Sequence, residues 1–271
     1  MSSMNQVRPA AVSGSFYPRQ PEALAHEVAA LLGAAKQHKS VTPKALIAPH
    51  AGYVYSGPVA ANAYARLVPA RGRIKRVVLL GPTHFVAVRG LALPDASGFA
   101  TPLGMVPLDE ASVETLSRLP QVSQSNAAHA SEHSLEVHLP FLQTVLEKFT
   151  LVPLAVGDAT PEEIAEVLDL LWGGEETLIV VSSDLSHYLP YETARRVDQA
   201  TAQTIMDLRE SISHQQACGA SPVNGLLLAA QRHRLKPELL DLRNSGDTAG
   251  DRSRVVGYAA FAFNESAQHV H

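Results

Sequence analysis

The chain has 271 residues, 46% of them apolar and 18% charged, with a formal net charge of -4. This composition supplies a substantial core and excludes a disordered chain, and the scattered Lys and Arg exclude a nucleic-acid footprint. One cysteine excludes an internal disulfide; with no signal-peptide pattern in MSSMNQVRPA and no apolar stretch near the length of a bilayer span, the chain reads as cytoplasmic with no membrane association.

In chain order, Leu24, Val28, Leu31 and Leu32 recur at helical spacing and predict a helix over 21–36 after a proline start. A short apolar run over 44–48 ends in Pro49-His50, and the turn-like HAGYVYSG leads into a helix over 58–68. Residues 76–80 (RVVLL) predict a strand ending in Gly81-Pro82-Thr83-His84. Short extended pieces over 90–107, a helix over 109–119 and a polar loop over 120–131 follow. Then come a helix over 139–148, a strand over 151–156 and a helix over 161–171, with Pro161 in its first turn. A strand over 177–182 runs into Ser183-Asp184-Leu185-Ser186-His187. Helices over 192–208 and 222–232, a polar turn around Asn244-Ser245-Gly246-Asp247 and a closing strand over 255–263 complete the chain, with a disordered tail expected from 264. Strands alternating with helices predict one three-layer α/β/α domain with a largely parallel or mixed central sheet, its core over 8–263.

The chemistry-bearing pattern is a repeated device. Three apolar runs end in turn-forming residues followed by a histidine: His50, His84 and His187. In open α/β sheets ligands bind beyond the carboxyl ends of strands, and neutral imidazole is the commonest metal ligand. Unrelated polar turns are the competing reading. Cys218 precedes the helix over 222–232, with Ser221 as candidate N-cap and Pro222 at the first helical position, an address that favours a thiolate; a buried structural cysteine is the alternative.

The stretch His129-Ala130-Ser131-Glu132-His133 contains the H-x-x-E-H pattern of some zinc peptidases. That chemistry needs both histidines on one helix face, whereas this motif closes a polar loop. Glu132 and His133 read better as a loop-borne acid/base pair, or as a solvated helix entrance. Tyr53 and Tyr55 either line a pocket or pack on their own helix. His26 and His38 read as solvated, and His269 and His271 as tail residues. No dinucleotide loop, P-loop, nucleophile elbow or EF-hand loop is present.

Taken together, Gly14-Ser15-Phe16-Tyr17-Pro18, Ala48-Pro49-His50-Ala51-Gly52-Tyr53, Gly81-Pro82-Thr83-His84, Glu132-His133-Ser134-Leu135-Glu136, Ser182-Ser183-Asp184-Leu185-Ser186-His187 and Asn244-Ser245-Gly246-Asp247 resemble the Memo family. The resemblance implies the fold of class III extradiol dioxygenases, with a metal pocket at one sheet edge. It implies His50, His84 and Cys218 as metal ligands, with Asp184 and His187 beside them, and a radical-SAM protein and a small companion protein as partners. A thiolate with two imidazoles suits Fe(II) first, with copper or zinc as alternatives. The reading that follows is a dioxygen-using, metal-dependent oxidoreductase acting on a small aromatic or chelating substrate. In it His187, oriented by Asp184, and His133 with Glu132 move protons. A non-catalytic metal- or peptide-binding protein and a zinc-dependent hydrolase are the rivals.

Overall fold

The computed structural model describes residues 6–36 and 41–265. In chain order its elements are β1 (Val7–Arg8), α1 (Pro21–Ala34), β2 (Ala45–Ala48), α2 (Tyr53–Tyr64), β3 (Arg76–Pro82), β4 (Leu91–Leu93), β5 (Gly98–Thr101) and β6 (Gly104–Pro107). Then follow α3 (Glu110–Leu116), β7 (Val122–Gln124), α4 (Asn126–Ala130), α5 (Leu139–Val145), β8 (Thr150–Val156), α6 (Pro161–Leu171) and β9 (Thr177–Ser182). The last are β10 (His187–Leu189), α7 (Tyr191–Met206), α8 (Ala220–Arg232), β11 (Lys236–Asn244) and β12 (Val255–Asn264).

Among the described residues the main sheet has nine strands. Its centre is parallel, in the order β2-β9-β3-β8, and its flanks are mixed: β12 runs antiparallel to β2, and β4 antiparallel to β8. β1, β5 and β6 form a separate small sheet. The central strands read as unbroken apolar runs because both faces are covered. Alternate residues of β2 show it directly. Leu46 and Ala48 join a core with Leu24, Ala60 and Phe141 from α1, α2 and α5, while Ala45 and Ile47 join another with Ile164, Ala202 and Leu226 from α6, α7 and α8. The architecture is the expected α/β/α sandwich around a mixed sheet.

Three local expectations change. The segment over 50–57 is not all turn, because α2 already begins at Tyr53. Its extra turn is held from outside: Tyr53 N donates to Phe16 O (2.8 Å) and Tyr53 Oη to Val137 O (2.7 Å). The loop over 120–131 contains β7 and α4, the latter capped by Ser125, whose side chain accepts from Ala128 N. The sequence KPELLDLRN is β11, a half-exposed strand that pairs with β12 and carries too many polar residues to read as apolar. Asn264 closes β12; the rest of the expected tail beyond 265, together with His38, His269 and His271, lies outside the described residues. His26 is exposed.

Candidate metal centre

Because β9 lies between β2 and β3, the carboxyl ends of three adjacent parallel strands deliver His50, Asp184 and His84 to one edge of the sheet. Two glycines permit the approach of the loops that close over it. A Cβ on Gly81 would lie 2.7 Å from Ser134 Oγ, and one on Gly219 2.5 Å from the Ser182 carbonyl oxygen. The first allows the 132–135 loop onto the end of β3, the second brings Cys218 against the end of β9.

The tight cluster at this edge is His50, His84 and His133, with one ring nitrogen from each within 4.8 Å of the others. The His84 and His133 rings stack at 4.6 Å, and the His50 ring stands edge-on to both at 5.2 and 5.4 Å. Such a cluster could hold a metal ion.

Hydrogen bonds fix the tautomers of two of these rings. Ser182 Oγ donates its one proton to the Ser134 carbonyl (2.6 Å), so it can only accept from His50 Nδ1 (2.6 Å). His50 therefore carries its proton on Nδ1 and presents an unprotonated Nε2. His84 Nδ1 lies 2.8 Å from Glu132 Oε1 and donates to it, and His84 N donates to Oε2 (2.6 Å), leaving Nε2 of His84 unprotonated as well. An imidazole held by a carboxylate or hydroxyl on one nitrogen and bare on the other is the arrangement metal-ligating histidines adopt. Burial lowers the pKa of His50 well below its usual value and that of His133 to about 4, so neither competes for a cation by carrying charge near neutrality.

Glu132 was expected to move protons with His133, and the structure gives it another task. Its carboxylate accepts from His84 N, His84 Nδ1, His133 N and Ser134 N. Burial opposes ionisation, but these donors outweigh it and hold the group at about 2, too acidic to keep a proton near neutral pH. Glu132 is an orienting acceptor for His84.

Asp184 likewise does not orient His187. Asp184 Oδ1 accepts from His50 N (2.8 Å), whereas His187 Nδ1 donates to the Leu185 carbonyl (2.8 Å). His187 thus has a fixed tautomer too, set by backbone, with its Nε2 left as an acceptor.

Cys218 reaches this edge through His50 and Asp184. Its Sγ lies 3.3 Å from His50 Nε2 and 3.3 Å from the Asp184 amide, which donates to it. Gly219 is the N-cap residue of α8 rather than Ser221, whose Oγ faces His214 Nε2 at 3.5 Å. Burial, then the Asp184 carboxylate, pushes the thiol up to about 12. The expected thiolate is reversed in the protein alone, since desolvation beats the helix end; a bound cation would be needed to deprotonate it.

The peptidase pattern fails on geometry. His129 lies buried on α4 with its Nε2 on the Ala92 carbonyl (2.9 Å), and the clustered imidazoles are those of His50, His84 and His133. Tyr53 is buried and Tyr55 is partly exposed. Sequence reasoning did not foresee Ser182 and Ser134 as the pair that sets the His50 tautomer, nor His133 as a third clustered imidazole. The one available signal was the serine-rich end of β9 opposite the Glu132-His133-Ser134 turn.

The site opens on a cleft of about 870 Å³ lined by His84, His187, Tyr188, Leu189, Val197 and Cys218, among others. With this geometry in view, comparison with known proteins is decisive. Residues 8–262 match the model of the Memo-like protein family. The chain belongs to the Memo family. It is 36% identical to a MEMO1 family protein of Aquifex aeolicus over 95% of this chain and 99% of that one, and 37% identical to one of Archaeoglobus fulgidus over 93% and 97%. A solved structure of an uncharacterized protein from Escherichia coli K12 aligns with a TM-score of 0.49 at 14% identity, covering 79% of this chain and 98% of that chain. No helix among the described residues of this Memo-family chain is long and apolar enough to cross a membrane.

Proposed function

We propose that this Memo-family chain is a metal-dependent oxidoreductase that uses dioxygen on a small substrate bound in the cleft. The observation that carries the reading is the pair of fixed tautomers: His50 and His84 each keep a bare Nε2, locked from behind, in a cluster with ring nitrogens within 4.8 Å of one another. With Cys218 against His50 Nε2 and His133 stacked on His84, the donor set is imidazole and sulfur, which suits Fe(II), with copper or zinc as alternatives. Bound iron would supply one-electron chemistry toward substrate and dioxygen. The chain's own residues do the rest. Ser182 and Glu132 hold the ligand rings in register, and burial of His50 and Glu132 keeps bulk water from competing. His187, with Nδ1 committed to the Leu185 carbonyl, offers Nε2 at the cleft wall to take a proton from a substrate hydroxyl.

The test is anaerobic purification with metal analysis, followed by oxygen-uptake screening. His50→Ala, His84→Ala and Cys218→Ser should each strip the metal, while His187→Ala should keep it and lose about 10²–10⁴-fold in turnover. Protein that never acquires a transition metal, or a His187→Ala variant as empty as Cys218→Ser, would overturn the assignment.

A further inference from the structure

Among the described residues, three other than glycine have positive φ: Leu208 (54°), Arg234 (55°) and Tyr188 (59°). The first two have an ordinary cause. Each stands two residues past the end of a helix, α7 or α8, where a left-handed residue ends the turn, and the next residue's amide reaches back (Arg209 N to Thr204 O, Leu235 N to Ala230 O). Tyr188 follows no helix. It is the middle residue of β10, whose pairing with β12 shifts register between His187 and Leu189.

The consequence is directional. In a regular strand neighbouring side chains point to opposite faces, so at most two of three consecutive residues share one. Here His187, Tyr188 and Leu189 all line the same cleft. The left-handed kink, which an aromatic residue adopts at a cost, turns Tyr188 toward the cavity its strand would otherwise turn it from. The residue remains 62% exposed, with the Arg254 guanidinium 5.1 Å from its ring centroid and the His187 ring edge-on at 5.7 Å. Beyond it the wall is apolar at Leu189, Val197 and Ala200 and polar at His214, Gln215 and Gln216, and no Lys or Arg lines the cleft. Beside these walls the charged partner at hand for a substrate carboxylate or phosphate is the Arg254 guanidinium, already seated against the Tyr188 ring, so desolvation of such a group would be poorly compensated.

We propose that Tyr188 is the specificity-determining residue of the cleft, a platform on which an uncharged aromatic ring stacks with its hydroxyl toward His187. This rests on the cleft being the substrate site of the proposed oxidoreductase, but not on which metal serves it. Stacking between rings would add a modest, measurable preference for aromatic over aliphatic ligands of similar size.

The test uses the full chain as purified, and again after chelation, with phenol, cyclohexanol and benzoate as probes in ligand-observed NMR titrations. Phenol should bind, and benzoate about tenfold more weakly or not at all. Tyr188→Phe should hold phenol within about twofold of wild type. Tyr188→Asn, which tolerates the left-handed backbone but lacks the ring, should bind it about three- to tenfold more weakly, at the level of cyclohexanol. Tyr188→Asn and Tyr188→Gly should melt no lower than wild type. Phenol binding unaffected by Tyr188→Asn, benzoate binding as well as phenol, no phenol binding by wild type, or a melting point lowered in both variants would each overturn the proposal. Chelated protein that still binds phenol supports it even if the metal assignment fails, so the two readings fail separately.

Discussion

The two walls of the site are built on opposite principles. On the histidine wall the groups behind the ligand rings are tied to one another by side-chain hydrogen bonds. His50 is set by Ser182 and Ser134, His84 by Glu132, and the 129–136 segment by Arg8, which donates to the carbonyls of His129 (3.0 Å) and Glu132 (2.6 Å). Arg8 also pairs with Glu136, which accepts from Ala11 N, Val12 N and Tyr17 Oη. The cleft wall around β10, made by His187, Tyr188 and Leu189, is more open and is anchored mainly by backbone contacts. Rigid support pre-orients groups that must meet at one point, whereas an accessible wall can meet ligands of varied shape. On the proposed function, metal affinity falls to the first wall and ligand choice to the second.

The largest effect should come from breaking the support of the histidine wall. Arg8→Ala leaves Glu136, which is fully buried, without its cation. Removing one partner of a buried pair typically costs about 3–5 kcal/mol, far more than a surface pair. Urea titration should show that loss for Arg8→Ala, against no loss for Tyr188→Asn. Equal losses at the two positions would erase the contrast between the walls.

A thiol raised from 9.0 to about 12 should be nearly inert in metal-free protein. At about pH 8 its thiolate population falls roughly a thousandfold, and allowing for transient opening, alkylation should slow by at least about a hundredfold relative to the urea-unfolded chain. Rapid alkylation of Cys218 in the folded, chelated protein would restore the activated thiolate that its place near a helix end first suggested.

A third effect is smaller and specific to the metal. Glu132→Gln preserves shape and one acceptor oxygen but removes the charge that holds His84. Changes at such supporting groups typically cost about 10–100-fold in metal affinity. Competition with a chelating dye should find that drop, with His187→Ala close to wild type. The reverse ranking would mean that the metal sits on the cleft wall.

What was readable beforehand follows the same division. β2, β3 and β9 are apolar on both faces, so their runs are visible in one dimension, and the residues just past their ends locate His50, His84 and Asp184. β11 was missed because its exposed positions break the pattern. The hydrogen-bond partners of Glu132 and Asp184 were not foreseen, because a carboxylate's task depends on which donors surround it. Those donors, the amides of His84, His133 and Ser134 for one and of His50 for the other, come from contacts that spacing alone does not reveal. The kink at Tyr188 has no signal at all, since nothing in the letter Tyr suggests a left-handed backbone.

The smallest effect tests the cleft wall from behind. Asp198, on α7, accepts from Ser186 N (3.0 Å) one residue before His187, and burial raises its pKa from 3.8 to about 6 against the opposing pull of that amide. Between those values the native state binds more protons than the unfolded chain, so stability from this group falls as pH rises from about 4 to about 6 and stays lost above. Asp198→Asn keeps an oxygen for the Ser186 amide and removes the buried charge. Its new amide also faces Ser186 Oγ, which is buried without a well-formed hydrogen bond. The variant should therefore match wild type below about pH 4 and exceed it by about 1–2 kcal/mol above about pH 7, the full shift being discounted for partial solvation. Urea titrations at the two pH values give the difference directly. A gain of the same size at both would trace it to packing rather than charge. A loss above pH 7 would mean that the Asp198 carboxylate holds the Ser186–His187 turn through its charge, which would make the cleft wall as electrostatically fixed as the histidine wall.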